Sequence, residues 1–123
     1  GRRAARTMPY GVIYYGSTSA AMREALAGLE QDGIHLDAMR LRAFPFHDDV
    51  SRFIEAHETV FVVEQNRDAQ LRTLIMNECG IDPARLVPIL HYDGTPITAR
   101  FIRAAIGRQA GSLDVVPLRK TVP

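Results

Sequence analysis

The chain has very little cysteine, since Cys79 is the only one in 123 residues. A single thiol excludes an internal disulfide, and it excludes a metal or iron–sulfur site that needs several cysteines from this chain. Cys79 lies near the end of a predicted helix, where a small buried apolar residue is expected. Without a disulfide framework, a reducing cytoplasm is the expected compartment.

Long apolar runs are also missing. No segment approaches the roughly 20 apolar residues that a membrane-spanning helix requires, and no apolar stretch follows the amino-terminal arginines as it would in a secretory signal. The composition, 46% hydrophobic and 24% charged, is typical of a globular domain with a buried core. We therefore expect one domain and no membrane partner.

Positive charge is scarce on the predicted folded part. Residues 10–107 carry nine arginines against thirteen acids, which gives −4, whereas residues 1–9 carry +3 and residues 108–123 carry +2. A nucleic-acid-binding domain concentrates basic residues on its folded surface, so we expect no nucleic-acid partner. The same division predicts a linker or tail over 1–9, a domain over 10–107 and a tail over 108–123.

Apolar strand-like runs and amphipathic helix-like segments alternate four times along the chain. This alternation with short connections predicts an α/β fold, a three-layer α/β/α sandwich around a mainly parallel sheet. The first and third runs are continuously apolar, so they should be central, and the second alternates with polar residues, so it should lie further out. The predicted strand order is 2-1-3-4. Strands are predicted over 11–15, 34–41, 60–63 and 86–90, and helices over 18–32, 47–57, 68–78 and from 95 to about 107.

Short polar residues mark the predicted helix starts. Ser17 or Thr18 is expected to cap the first helix, and Asn66 or Asp68 the third. Thr95, followed by proline, is expected to cap the fourth. His35, His47 and His57 lie at predicted element edges, where surface residues are expected.

Polar residues follow strands one, three and four directly, at the sheet edge where such folds carry out recognition. We call the set below the carboxyl rim. With strands one and three adjacent, the start of the first helix should face the segment after strand three across a crevice. The carboxyl rim consists of Gly16, Ser17, Thr18, Glu64, Gln65, Asn66, Arg67, Gln70, His91, Tyr92, Asp93 and Arg100.

Each part of the carboxyl rim has two interpretations. Gly16 to Ser19 could bind an anion through free backbone N–H groups, or could simply form a helix cap. Glu64 to Gln70 could form an interface or a structural network, which we favour over a general base. His91 and Asp93 could contribute to a metal or acid–base site, but a turn at Asp93-Gly94 explains them more simply.

Four of these segments resemble a known family. GVIYYGSTSAAMREAL, LRAFPF, VFVVEQNRDAQLRTL and HYDGTPITARFI resemble the carboxyl-terminal domain of the alpha subunit of 2-oxoacid:ferredoxin oxidoreductases, especially the two-subunit 2-oxoglutarate type. The resemblance covers about residues 10–106. It implies a transketolase carboxyl-terminal-like fold, in which an additional antiparallel edge strand can occur, partly supplied here by residues 6–9.

The resemblance also implies a function for the whole assembly. Such enzymes decarboxylate a 2-oxoacid on thiamine diphosphate with magnesium, pass electrons through an iron–sulfur cluster to ferredoxin, and transfer the acyl group to coenzyme A. None of these cofactors is expected on this chain. Its implied role is a structural, subunit-interface domain that contacts the other alpha-subunit domains and the beta subunit. The alternative is a stand-alone module that binds a small anion or carboxylate at the Gly16/Glu64 crevice.

Overall fold

The computed structural model of the chain describes residues 8–41, 48–65 and 68–121, with the side chains of all of these except Met8, Ser17 and 111–121. Strands and helices alternate along it. Short 3-10 turns at Gly16–Thr18 and Pro83–Arg85 precede the first helix and the last strand. The elements are β1 (Met8–Tyr15), α1 (Ser19–Gln31), β2 (Leu36–Leu41), α2 (Asp48–Glu55), β3 (His57–Glu64), α3 (Gln70–Cys79), β4 (Leu86–Leu90) and α4 (Ala99–Thr121).

The four described strands form one parallel sheet in the order β2-β1-β3-β4. The order predicted from the sequence is therefore confirmed, and the α/β fold with it. In register, Gly11 of β1 lies between Asp37 of β2 and Val60 of β3. All carboxyl ends consequently meet at one edge, which brings the loops of the carboxyl rim together.

Two apolar cores lie on opposite faces of the sheet. On one face, α1 and α4 pack over alternate residues of the central strands, such as Val12 and Phe61. On the other face, α2 and α3 pack over the intervening residues, such as Ile13 and Val62. Residues 60–64 of β3 are all buried, whereas β2 has several exposed positions, as the two sequence patterns predicted.

Several element boundaries differ from the prediction. Strand β1 begins at Met8, and Met8 pairs in parallel with His57. Met8 and Pro9 therefore belong to β1 and not to an additional antiparallel edge strand, while residues 6 and 7 lie outside the described residues. Strand β2 begins later than predicted, because Gly33 (φ +87°) ends α1 and the Ile34 N–H donates to the Leu29 carbonyl at 2.8 Å.

Helix α4 begins and ends later than predicted. Thr98, not Thr95, caps it by accepting a hydrogen bond from the Phe101 N–H at 3.1 Å. The helix continues through Gly107 to Thr121, so the predicted tail begins as helix. Ala110 is buried, and its carbonyl accepts a 3.5 Å hydrogen bond from the Tyr10 hydroxyl. No helix among the described residues is both long and apolar enough to cross a bilayer.

Candidate functional site: the carboxyl rim

Glu64 connects three elements at the carboxyl rim. Its side chain is buried, and its carboxylate accepts hydrogen bonds from the Leu71 N–H at 2.7 Å and the Arg72 N–H at 2.9 Å. Its backbone carbonyl accepts from the His91 N–H at 2.9 Å. The carboxylate thus binds the positive end of α3 from the end of β3. Both carboxylate oxygens are engaged by backbone donors, so the arrangement suits a structural role better than a general base.

The start of α3 has an unusual backbone. Its N-cap is Ala69, not Asp68 as predicted, and Ala69 is in the left-handed region (φ 50°, ψ 44°). A residue with a Cβ is strained there by about 1–2 kcal/mol. This sharp bend, together with Glu64, fixes how the chain leaves β3 and enters α3. Asn66 and Arg67 lie outside the described residues.

A hydrogen bond joins the loops after β1 and β3. The Gln65 side-chain amide donates to the Thr18 hydroxyl at 3.2 Å, and Thr18 is buried. Thr18 occupies the N-cap position of α1 but makes no capping hydrogen bond, so the predicted cap is wrong for this residue. Nearby, the Ser19 hydroxyl donates to the Gly16 carbonyl at 2.7 Å. The two loops meet as the strand order predicted.

Tyr15, at the end of β1, lies in the electrostatic field of the buried Glu64 carboxylate. Burial raises the pKa of its phenol, and the negative charge of Glu64 raises it further. Both effects disfavour the tyrosinate form. The rim between β1 and β3 is thus a partly desolvated region beside a carboxylate, which is an unfavourable place for an added anion.

The loop after β4 is a turn that leaves an aromatic side chain exposed. One Asp93 carboxylate oxygen accepts from the Thr95 N–H at 3.0 Å and the Thr95 hydroxyl at 2.6 Å, and these bonds lower the Asp93 pKa. His91 lies 3.5 Å from the same oxygen and packs edge-on against Phe101, with ring centroids 4.8 Å apart. The contacts fit the turn interpretation. Tyr92, between His91 and Asp93 in the sequence, is 61% exposed.

Two further members of the carboxyl rim are exposed at helix starts. Gln70 is the first residue of α3 and Arg100 the second residue of α4. The structure thus brings the described loops after β1, β3 and β4 to one edge. At this edge, exposed polar side chains surround the buried and hydrogen-bonded side chains of Glu64 and Thr18.

One buried cluster was not predicted from the sequence. His57, expected at the surface, is only 2% exposed; its ring nitrogens lie 2.6 Å from the Phe53 carbonyl and 2.8 Å from an Asp37 oxygen. The His57 ring packs against β1 at Gly11. A Cβ on Gly11 would lie 3.1 Å from the imidazole and 2.9 Å from the Phe53 ring. A glycine inside an apolar strand was the available signal, since it marks a close approach of other groups. His35 is exposed as expected, and His47 lies outside the described residues.

The donor groups of the described residues do not fit a resident metal or cluster. Cys79 is the only cysteine of the sequence and is half-buried, whereas an iron–sulfur cluster needs about four protein ligands, mostly cysteines. Among the described residues, no group of three or more His, Cys, Asp or Glu side chains is arranged to hold a metal ion.

The fold has a counterpart among solved structures. It matches 2-oxoglutarate:ferredoxin oxidoreductase from Magnetococcus marinus, in a structure with 2-oxoglutarate, coenzyme A and succinyl-CoA bound, with a TM-score of 0.73 and 28% identity. The match confirms the resemblance noted in the sequence. It covers 83% of this chain but 18% of that chain, so this chain spans less than a fifth of the matched protein. No model of a known protein family matches the sequence, and no curated protein does.

Proposed function

We propose that this chain is a subunit-interface domain of a thiamine diphosphate-dependent 2-oxoacid:ferredoxin oxidoreductase. That assembly would convert a 2-oxoacid such as 2-oxoglutarate to its acyl-CoA with reduction of ferredoxin. The observation that carries the proposal is the match over 83% of this chain to 18% of a 2-oxoglutarate:ferredoxin oxidoreductase chain. A domain that corresponds to so small a part of that enzyme would act with the remaining parts, on this or other chains.

The contacts at the carboxyl rim support an interface role over catalysis. Glu64 is engaged by two backbone N–H groups, Asp93 by Thr95, and Gln65 by Thr18, so these groups hold the loops in place. Ordered loops lose little conformational freedom on binding, which favours protein–protein association. The partners would be the other domains of the alpha subunit and the beta subunit, with ferredoxin and coenzyme A as partners of the whole complex.

The alternative is a module that binds a small anion in the Gly16/Glu64 crevice. The Gln65–Thr18 hydrogen bond spans that crevice, and the Glu64 carboxylate lies beside it. A bound anion would have to break this hydrogen bond and lie close to the negatively charged carboxylate. Both features disfavour an anion at this place.

Tyr92 is the side chain best suited to anchor a partner at the carboxyl rim. It is the one large hydrophobic side chain exposed among the described residues, and exposed tyrosines are frequent interface hot spots. In the complete oxidoreductase, Tyr92→Ala should weaken association by about 1–2 kcal/mol, or about tenfold. The melting temperature of the variant shows whether the chain is still folded.

The test is co-purification of the chain with the remaining oxidoreductase subunits, followed by a measured dissociation constant. His35→Ala is the matched control, since it removes an exposed ring from the loop before β2, at the opposite end of the strand from the rim. Equal affinities for the Tyr92 variant and the control would show that the carboxyl rim is not part of the interface. Failure of the wild-type chain to co-purify with any oxidoreductase subunit would refute the proposed function itself.

A further inference from the structure

A second surface of interest lies where α1 ends beside α4. An open groove of about 380 Å³ lies there between Asp32 and one face of α4, and three arginines of α4 line it: Arg100, Arg103 and Arg108. The described contacts at the carboxyl rim involve the loops after β1, β3 and β4, whereas this groove extends along the helical layer. Of the three arginines, only Arg100 was singled out in the sequence.

The middle arginine is held in position. The Arg103 guanidinium donates two hydrogen bonds to Asp32 at the end of α1, from Nε at 2.8 Å and from Nη2 at 2.7 Å. Gly28 makes this possible, because a Cβ at that position would lie 2.7 Å from the Arg103 Cδ. The ion pair lowers the Asp32 pKa and raises the Arg103 pKa. Arg103 is thus locked against α1, with its charge compensated.

The two outer arginines have no such compensation within the described residues. Arg100 and Arg108 are exposed, and no carboxylate described in the structure forms an ion pair with either. They are eight positions apart, which is about 12 Å along a helix. Among the described residues, two positive charges without an ion-pair partner therefore flank a neutral pair. Arg100 lies within residues 10–107, which carry a net charge of −4, and Arg108 directly follows them.

We propose that this arginine groove is a docking surface for an acidic protein segment of the same oxidoreductase assembly. The inference rests on the proposed function. Guanidinium groups pair readily with carboxylates through two parallel hydrogen bonds. Here the charges form a row along an open groove and do not converge on one point. Such a row matches carboxylates spaced along a helix or strand better than a single phosphate group.

The test measures the dissociation constant between the 123-residue chain and the remaining oxidoreductase subunits at several salt concentrations. The variant Arg100→Glu/Arg108→Glu should bind at least about tenfold more weakly at low salt, because it places like charges opposite each other. Its affinity should also depend less steeply on salt than that of the wild type. Arg100→Lys/Arg108→Lys keeps both charges and should retain most of the affinity.

Arg52→Glu is the matched control, since Arg52 is exposed on α2, on the opposite face of the sheet. It should leave the affinity close to that of the wild type. A second control adds tripolyphosphate, which should displace the partner no better than a simple salt of equal ionic strength. Specific displacement by tripolyphosphate would show a phosphate site and would overturn the proposal.

The two proposals fail in different ways. If the wild-type chain binds the oxidoreductase subunits and the double charge reversal binds equally well, the arginine groove has no docking role and the proposed function stands. If the wild-type chain does not bind them at all, the proposed function fails and this inference with it. Melting temperatures of the variants show whether each one is folded.

Discussion

Glu64 stabilises the junction between β3 and α3, because its side chain at the end of the strand binds backbone groups at the start of the helix. Its buried carboxylate accepts from backbone N–H groups seven and eight residues further along. Glu64→Gln would retain one acceptor oxygen and place an NH2 group against the second N–H donor. Leaving that buried donor unpaired should lower the free energy of unfolding by about 1–3 kcal/mol, measurable by urea denaturation.

Glu58→Gln is the matched control for this substitution. Glu58 lies on the same strand but is exposed, so its replacement should change stability by less than about 0.5 kcal/mol. Tyr15 supplies a second measurement. Because Glu64 contributes to the raised pKa of Tyr15, that pKa should fall in the variant while burial keeps it above the ordinary value. Equal stability losses in both variants would contradict the capping role.

At the scale of elements, Asp32 and Arg103 fasten α1 to α4. The hydrogen bond from Arg103 lowers the pKa of Asp32 in the folded chain, so in acid the unfolded chain binds the proton more readily. The stabilisation is therefore present above the ordinary aspartate pKa and is lost as the pH falls through the lowered one. The melting temperatures of the wild type and Asp32→Asn should differ at neutral pH and converge as the pH falls through the lowered pKa of Asp32.

Arg103→Gln tests the same contact from α4. If the two side chains act as a pair, the Asp32→Asn/Arg103→Gln double variant should lose less stability than the sum of the single variants. A difference between wild type and Asp32→Asn that widened in acid would have the wrong sign for a lowered pKa. Such a result would show that Asp32 affects stability through a contact other than the one with Arg103.

At the scale of the whole molecule, the chain has a buried apolar core on each face of its sheet. Its sequence has one cysteine and its described residues hold no metal-binding cluster. We therefore expect the isolated, folded chain to purify colourless and to show no 2-oxoacid-dependent reduction of ferredoxin or of a viologen dye. The complete assembly is the positive control. Turnover by the pure chain would refute the assignment to an assembly domain.

Strand order and strand direction follow from local sequence patterns. Continuous apolar runs in strands one and three require burial on both faces, which is available only at the centre of the sheet. The alternation of strand and helix then required parallel strands whose carboxyl ends share an edge. Gly33 was likewise recognisable as a helix stop, because its left-handed conformation is costly for other residues.

Which polar groups meet depends on how the elements pack against one another. Glu64 caps α3 from outside the helix, so the nearby Asp68 that local capping rules favoured is not the N-cap residue. His57 is buried against Gly11, where a larger residue would meet its ring, and Asp37 from another strand supplies a polar partner for that ring. Local sequence patterns encode periodicity and turns, whereas these contacts join residues seven to twenty positions apart that belong to different elements. They depend on register and packing, which are fixed only when the sheet and helices are assembled.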